Sequence, residues 1–376
     1  MVDLDGTVYS GPDAVRGAVA ALAAAREAGL RLAFVTNNAS RSPAAIAAEL
    51  SGLGVPATAA DVVTSAQAAA SLIADRVPPG SPVLVAGGIG LRLALRARGL
   101  RPVSTAAERP VAVVQGFAPG IGYELLAEAA MAVRGGALFV ASNTDPTLPT
   151  PRGPQPGNGS LVQVIVTATG TQPVVAGKPE PPLHAEAMSR TGAKRPLVVG
   201  DRLDTDIEGA VRCRADSLLV LTGVSRPSDV VLAQAQRRPT YLAADLSGLV
   251  EPQPVIGRRA GAASAGPDGD QRRAAAGIAA DGAGAARAAG DGAAAGLAAD
   301  RAGQATGDGA EHGGPDQAFS CGGWTARRLA GREPLDLTGS GDPIDGLRAL
   351  CAAAWSAGQI TADMAEPALR KLGFGL

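Results

Sequence analysis

Short apolar runs alternate with amphipathic stretches along the first part of the chain. Residues 30–35 and 61–64 are typical of buried strands, whereas 13–28, 42–53 and 65–75 carry apolar residues at helical spacing. Strands that alternate with helices indicate a parallel sheet whose faces are covered by helices. We therefore expect an α/β fold with a doubly wound parallel sheet.

The alternation continues beyond the break at Pro78-Pro79-Gly80. The further predicted elements are strands at 83–85, 111–114, 138–140, 196–200 and 217–221, helices at 89–98, 122–133 and 205–213, and a short strand near Thr240. A helix often ends on a residue with positive φ, usually glycine, but Arg214 stands at this place after the helix at 205–213. An arginine in that conformation costs about 1 kcal/mol.

Polar side chains stand where the first two strands are predicted to end. Asp3 and Asp5 are one residue apart, so their carboxylates point to the same side of an extended strand. Thr36, followed by Asn37 and Asn38, comes directly after the strand at 30–35 and offers a hydroxyl and a loop of N–H groups. The carboxyl ends of parallel strands share one edge, where such sheets bind their ligands.

Two further groups come much later in the chain. Lys178 precedes a helical pattern, and Asp201 follows the strand at 196–200, with Asp204 and Asp206 close behind. Each group alone also fits a structural role, as a helix cap, a solvated lysine or an acidic helix start. Acid pair, hydroxyl, lysine and acid cluster in this order favour one phosphate-handling site.

The chain resembles the haloacid dehalogenase superfamily of aspartyl-phosphate phosphotransferases over roughly residues 1–250. The residues that match its four motifs, in order, are Asp3 and Asp5, Thr36, Lys178, and Asp201 with Asp206. The stretches 143–146, 156–159 and 177–181 resemble the class IIA branch, which has a large cap between the second and third motifs. Within that branch the chain is most similar to actinobacterial glycerol-3-phosphate phosphatases.

The resemblance implies a domain organisation. We expect a Rossmann-like core formed by residues 1–78 and 171–250, with an inserted α/β cap at 79–170 that closes over the site and selects the substrate. Residues 251–320 are rich in Ala, Gly, Asp and Arg and predict a disordered linker; a reading-frame artefact at 258–318 is the alternative. Residues 321–376 predict a small, partly helical region, to which we assign no chemistry.

The resemblance also implies a role for each site residue. Asp3 would attack phosphorus to form an aspartyl-phosphate, and Asp5 would protonate the leaving alkoxide and later deprotonate water. Lys178 would offset negative charge on both the nucleophile and the phosphoryl group. The remaining candidates are Thr36, Asn37 and Asn38 for the phosphoryl oxygens, and Asn143 and Asp145 for the substrate. For the last pair an Asx turn before Pro146 is the alternative.

Four carboxylates in one pocket would repel a phosphate dianion unless a cation lay among them. Oxygen ligands, with no histidine or cysteine nearby, favour Mg²⁺. By resemblance, the Asp3 carboxylate, the Asp5 main-chain carbonyl and Asp201 would be direct ligands, and Asp206 would act through water or hold Lys178.

Composition limits the partners and the location. A net charge of −1 and a pI near 6.2 give no sign of a nucleic-acid-binding surface. Three scattered cysteines suit a reducing cytoplasm, and no uncharged apolar run reaches the roughly 18 residues of a membrane span. Only Met1 and Val2 precede Asp3, so we expect the natural start to lie upstream. Capped relatives are often dimers, which makes a homodimer one expectation.

The predicted function is Mg²⁺-dependent hydrolysis of a small phosphorylated metabolite, with glycerol 3-phosphate as the best single substrate. Sugar phosphates, phosphoglycolate and pyridoxal phosphate are the nearest alternatives. A phosphotransfer receiver domain also combines acids, a threonine and a lysine, but its acceptor aspartate follows a middle strand. The short first strand and Arg214 leave a second alternative, a catalytically decayed phosphate-binding protein.

Overall fold

The computed structural model describes residues 1–148, 150, 152–259, 317–328, 334–356 and 360–375. The chain divides into two compact units, Met1–Glu251 and Pro252–Leu376. The first contains two parallel sheets, and the second contains one antiparallel sheet.

The first unit opens with a small hairpin and two β-α pairs. Its elements are β1 (Tyr9–Ser10), β2 (Asp13–Ala14), α1 (Ala18–Glu27), β3 (Phe34–Thr36), α2 (Pro43–Gly52), β4 (Val62–Thr64) and α3 (Ser65–Ala74). The helix predicted at 13–28 begins only at Ala18, because β1 and β2 pair as an antiparallel hairpin before it. The strand predicted at 30–35 is shorter than expected: it begins only at Phe34 and ends at Thr36.

The start of the chain lies in the middle of the main sheet. Val2 forms parallel bridges to Phe34 on one side and to Val199 on the other. Its N–H donates to Ala33 O at 2.7 Å, and Val35 N–H donates to Val2 O at 2.8 Å. On the other side, Asp3 N–H donates to Val199 O and Val199 N–H donates to Met1 O, each at 2.8 Å. Hydrogen bonds to both neighbouring segments therefore hold the residue before Asp3 in an extended conformation.

An inserted parallel sheet follows, with the strand order β11-β8-β7-β5-β6. Its elements are β5 (Pro82–Ala86), α4 (Ile89–Ala97), β6 (Arg101–Val103), β7 (Ala112–Gln115), α5 (Tyr123–Arg134), β8 (Leu138–Ala141), β9 (Thr147–Leu148), β10 (Gln155–Pro156), α6 (Asn158–Thr169) and β11 (Val174–Val175). Strand β11 pairs with β8, so the inserted sheet ends five residues after the expected boundary at residue 170. Strand β6 was not foreseen from the sequence.

The main sheet then resumes. Its remaining elements are α7 (Pro181–Thr191), β12 (Leu197–Gly200), α8 (Glu208–Arg212), β13 (Asp216–Val220), α9 (Pro227–Val231) and β14 (Tyr241–Ala243). Through Val2 the strand order is β4-β3-Val2-β12-β13-β14, all parallel. A π-helical turn at Leu203–Ile207 leads into α8, and Arg214 after it has a φ of 55°, as the sequence predicted.

Helices cover both faces of the main sheet, which confirms the doubly wound α/β prediction. Helices α1 and α2 pack on one face, around Phe34 and Leu4. Helices α3 and α7 pack on the other, in a cluster that also includes Val83 and Leu91 of the inserted sheet and its helix α4. Shared apolar packing of this kind joins the two sheets into one compact unit.

The described residues of the second unit form an antiparallel sheet with two helices. Its elements are β15 (Gly257–Arg259), β16 (Ala318–Cys321), β17 (Trp324–Arg328), β18 (Leu335–Gly339), α10 (Pro343–Trp355) and α11 (Ala362–Lys371). Strand β15 and all but the last residue of β16 lie inside the region 251–320 expected to be a linker, so that expectation is corrected at both ends; 260–316 lie outside the described residues. No helix in the described ranges has both the length and the apolar character that crossing a membrane requires.

Candidate active site

Asp3 and Asp5 lie at the carboxyl edge of the main sheet. The main chain of Asp3 is held by a hydrogen bond from its N–H to Val199 O, at 2.8 Å. The Asp3 side chain is only 11% exposed, whereas Asp5 is exposed. Between them Leu4 is fully buried, and the chain turns at Gly6. Alternation along this short extended segment therefore directs both acids to the same edge.

Lys178 bridges two of the predicted carboxylates. Its Nζ lies 2.5 Å from Asp3 Oδ1 and 2.7 Å from Asp206 Oδ1, and its side chain is 4% exposed. Burial lowers the pKa of Lys178, but the carboxylates of Asp206 and Asp3 outweigh burial and hold the pKa above its usual value. The ammonium therefore stays charged at neutral pH.

Asp3, Asp201 and Asp206 form a compact acidic cluster. Each offers a carboxylate oxygen, and these three atoms lie within 4.8 Å of one another. Burial raises the pKa of each carboxyl to about 6, and neighbouring carboxylates add to the effect. Asp5 is exposed as a residue, but its carboxyl still loses hydration beside the cluster, which raises its pKa, although Lys178 opposes the change. One lysine does not neutralise this cluster, so the donor set fits a divalent cation with oxygen ligands such as Mg²⁺.

A loop after β13 orients Asp201. Val224 N–H donates to Asp201 Oδ2 at 2.6 Å, and the Thr7 hydroxyl lies 3.4 Å from Oδ1. The Thr222 hydroxyl donates to Gly6 O at 2.7 Å and so ties the same loop to the turn after Asp5. Sequence reasoning missed these residues, although Thr222 follows a predicted strand and satisfies the same strand-end rule as Thr36.

Thr36 closes β3 at the same edge and is buried. Its Oγ1 accepts a hydrogen bond from Asn38 N–H at 3.1 Å, which leaves the hydroxyl proton free to donate. The Asn38 side chain closes its own turn, because its Oδ1 accepts from Ser40 N–H and Ser40 Oγ. The Asn37 side chain points instead towards Lys178 and Asp145.

Asn143 and Asp145 come from the loop after β8 of the inserted sheet. Asn143 Oδ1 accepts from Asp145 N–H at 3.1 Å, which is the Asx turn weighed as an alternative. The same loop also reaches the main sheet, because Asp145 Oδ2 accepts from Asn37 Nδ2 at 3.1 Å. The inserted sheet therefore contributes directly to this edge.

Several other residues in or near the matched stretches lie outside the cluster. Asp204 is held by Arg202 at 2.8 Å and is 47% exposed, in keeping with a surface role. His184 is fully buried, and burial lowers its pKa to about 3. Neither of its ring nitrogens has a hydrogen-bond partner among the described residues, so the imidazole is a neutral packing group. Gly157 and Gly159 pack against main-chain carbonyls of the loop 144–147.

Family comparisons match three segments of the chain. Residues 1–101 match the haloacid dehalogenase-like hydrolase family, and residues 175–249 match a HAD-hydrolase-like family. Residues 321–374 match a GCN5-related N-acetyltransferase like domain, which the sequence reasoning had not foreseen.

Curated relatives and solved structures agree with the first two matches. D-glycerol 3-phosphate phosphatase of Mycobacterium tuberculosis is 53% identical over 262 residues, 68% of this chain and 73% of the relative. Acid sugar phosphatase of Staphylococcus saprophyticus is 37% identical over 253 residues, 67% of this chain and 96% of the relative. A crystal structure of glycerol phosphate phosphatase from M. tuberculosis in complex with magnesium superposes with a TM-score of 0.75 at 39% identity, covering 99% of this chain and 96% of that one.

Proposed function

The chain belongs to the haloacid dehalogenase-like hydrolase family and is a phosphatase, and we propose that it hydrolyses glycerol 3-phosphate to glycerol and phosphate. The observation that carries the chemistry is the position of Lys178 Nζ, in contact with both Asp3 and Asp206, while Asp201 lies within ligand distance of the same carboxylates. This arrangement places a nucleophile, a cation and metal ligands around one small volume.

Asp3 is the proposed nucleophile. Its carboxylate oxygen attacks phosphorus, the bond from phosphorus to the ester oxygen breaks, and the aspartyl-phosphate forms. Asp5 gives its proton to the departing alkoxide, which leaves as glycerol. Asp5 then accepts a proton from water, the resulting hydroxide attacks phosphorus, and the bond to Asp3 breaks to release phosphate.

The raised pKa of Asp5 suits this exchange. An acid that holds its proton at higher pH than a solvated aspartate is a better donor to an alkoxide near neutrality. Lys178 and the Thr36 hydroxyl complete the electrostatic part, because both can donate to non-bridging phosphoryl oxygens. The main-chain N–H of Asn37 is a further proposed donor to these oxygens.

The acidic cluster fits Mg²⁺ by its chemistry. Asp3, Asp201 and the main-chain carbonyl of Asp5 are the proposed ligands, while Asp206 holds Lys178. When bound, the cation neutralises charge on the phosphoryl group. Without the cation, the carboxylates repel one another. The pKa of Asp201 is raised first by burial and then by the negative charge of Asp206.

The substrate assignment depends on the 53% identical relative from M. tuberculosis, a D-glycerol 3-phosphate phosphatase. The 37% identical acid sugar phosphatase keeps a sugar phosphate as the second candidate. Phosphoglycolate and pyridoxal phosphate complete the substrate set. We further propose that residues 79–170 act as the cap that selects among these esters.

Two features of the protein as a whole are also proposals. The chain has only three cysteines, Cys213, Cys321 and Cys351, and they are scattered along the sequence, which supports a reducing, cytoplasmic location. A homodimer is proposed from the resemblance to capped phosphatases. Light scattering on the full chain tests this: a mass near twice 37.2 kDa supports the dimer, and a mass near 37.2 kDa contradicts it.

Phosphate release tests the proposed reaction. The full chain is assayed with glycerol 3-phosphate, a sugar phosphate, phosphoglycolate and pyridoxal phosphate, each with Mg²⁺ and with EDTA. We expect the highest kcat/KM for glycerol 3-phosphate, loss of turnover in EDTA, and loss in Asp3→Asn. Turnover that survives both EDTA and Asp3→Asn excludes the mechanism. Phosphate binding without turnover of any ester favours the decayed binding protein.

A further inference from the structure

The Asn37 side chain pairs with the main chain of Lys178. Its Oδ1 accepts from Lys178 N–H at 2.8 Å, and its Nδ2 donates to Lys178 O at 3.1 Å. The Asn37 amide thus accepts from the N–H of Lys178 and donates to its carbonyl, as a neighbouring β-strand would. These two bonds fix the peptide groups on both sides of the Lys178 Cα. The main-chain position of Lys178 sets where its ammonium lies relative to Asp3.

The same asparagine also binds the loop of the inserted sheet. Nδ2 donates its second hydrogen to Asp145 Oδ2 at 3.1 Å. Asn143 Nδ2 returns a bond to the main-chain carbonyl of Asn37 at 2.8 Å, and the Ser65 hydroxyl donates to that carbonyl at 2.6 Å. Residues 108 positions apart in sequence are thus joined through one side chain.

The contact requires an unusually close approach of the chain before Lys178. A Cβ atom on Gly177 would lie 2.4 Å from Ser142 O, 2.5 Å from Asn37 Oδ1 and 3.1 Å from Asn143 Cβ. Real Cβ atoms do not make the first two contacts, so only glycine lets the chain before Lys178 lie this close to both Ser142 O and the Asn37 amide.

The Asn37 side-chain amide cannot also donate to a phosphate. Its NH₂ group has two hydrogens, and both are used, by Lys178 O and Asp145 Oδ2. The side chain therefore has no N–H left for a phosphoryl oxygen.

We propose that Asn37 is a positioning residue that couples the inserted-sheet loop to Lys178, so that Lys178 Nζ contacts Asp3 only while Asp145 is docked on the amide. This inference rests on the proposed phosphatase activity. It assigns the Asn37 side chain to the alignment of the lysine rather than to substrate binding, and it gives Asp145 a structural partner across the two sheets.

A swap of the two side chains tests the coupling. Asn37→Asp keeps the acceptor for Lys178 N–H but sets a carboxylate oxygen against Asp145 Oδ2 and Lys178 O. We expect kcat to fall by about 10-fold or more with KM changed less than about 3-fold, because the lysine is displaced while the substrate contacts remain. Adding Asp145→Asn supplies an N–H donor to the carboxylate introduced at position 37, and should recover a large part of the lost kcat.

A charge-matched control separates the bond from simple electrostatics. Asp204 is another acid near Asp145, so Asn37→Asp combined with Asp204→Asn restores the net charge without restoring the bond. We expect this pair to recover less kcat than the swap. Equal recovery in both pairs overturns the proposal, as does a loss that appears in KM and in inhibition by inorganic phosphate while kcat is unchanged.

Two further measurements complete the test. Thermal unfolding identifies variants that do not fold; if Asn37→Asp is one of them, Asp145→Ala decides, and a kcat within about 2-fold of wild type overturns the coupling. Wild-type enzyme is assayed alongside, because it separates failure of the proposed phosphatase activity from failure of the proposed role of Asn37. Inactive wild type with Mg²⁺ contradicts the proposed function, whereas active wild type with an unaffected Asn37→Asp variant contradicts only the role of Asn37.

Discussion

A Cβ atom on Gly6 would lie 2.6 Å from Asp201 Oδ2, and Gly6 itself has a φ of +80°. The turn after Asp5 therefore packs directly against a proposed metal ligand. Gly6→Ala should displace the Asp201 carboxylate and lower both Mg²⁺ affinity and kcat/KM by about 10-fold or more, because small displacements of catalytic groups are costly. Calorimetric Mg²⁺ titration and phosphate release measure the two effects.

Gly11 provides a matched control for this substitution. Its φ is +60°, but a Cβ there would meet nothing within 4 Å. Both alanine variants should lose about 1 kcal/mol of stability from the positive φ. Only Gly6→Ala should lose Mg²⁺ affinity; equal affinities in the two variants would contradict the proposed role of Asp201.

Removal of the Lys178 amine should damage catalysis most at low pH. Lys178→Met leaves Asp3 and Asp206 without their shared cation, and loss of that cation raises the pKa of Asp3 above its present value of about 6. A protonated Asp3 is a poor nucleophile, so kcat/KM should fall by about 100-fold near neutral pH and by less near pH 8.5.

The pH profile of kcat/KM measures this effect. Lys194→Met serves as the control, because Lys194 is exposed and lies outside the candidate site. The control should follow the wild-type profile. A Lys178→Met loss that is the same at every pH would show that the lysine acts on the phosphoryl group alone and not through Asp3.

The positions of the main site residues could be predicted because one rule governs them. Asp3, Thr36 and Asp201 follow strands, and parallel strands bring their carboxyl ends to one edge. The rule needs only local patterns, so it could be applied to Asp3 although only two residues precede it. Once the sheet forms, the bonds on both sides of Val2 fix the extended conformation that two residues alone could not.

The partners of these residues could not be predicted, because they depend on contacts between distant segments. Thr222 follows a predicted strand, but its bond to Gly6 spans 216 positions, and no local period encodes which residue it contacts. The hairpin at Tyr9–Ala14 was missed because its Asp13 and Ala14 also fit the start of an amphipathic helix. Strand β15 was missed because its partner β16 lies beyond a long low-complexity stretch.

Mg²⁺ should stabilise the protein more at neutral than at acidic pH. The folded-state pKa values of Asp3, Asp201 and Asp206 are about 6, above the ordinary value of 3.8. Between these two pH values the metal-free folded protein binds more protons than the unfolded chain, so its stability falls as pH rises through this window. Mg²⁺ needs the deprotonated carboxylates, and its stabilising effect therefore increases over the same window.

Differential scanning fluorimetry measures this linkage. The difference in Tm between Mg²⁺ and EDTA should be larger at about pH 7.5 than at about pH 5. Asp201→Asn should reduce the difference at the higher pH, because one ligand charge is lost. A Tm difference that does not change between the two pH values would contradict a site built from these carboxylates.

Arg214→Gly should stabilise the first unit. Arg214 has a φ of 55°, is exposed, and follows the helix α8 at the position where glycine is preferred. Glycine relieves the strain and should add about 1 kcal/mol or slightly less, since it also makes the unfolded chain more flexible. Arg214→Ala keeps the Cβ atom and should give no gain, which separates backbone strain from loss of charge.

The measurement must report on the first unit. Both tryptophans, Trp324 and Trp355, lie in the second unit, so their fluorescence would miss the effect. Hydrogen exchange of the β13 amides during urea unfolding reports on the correct unit, and equal protection in the glycine and alanine variants would disprove the strain at Arg214.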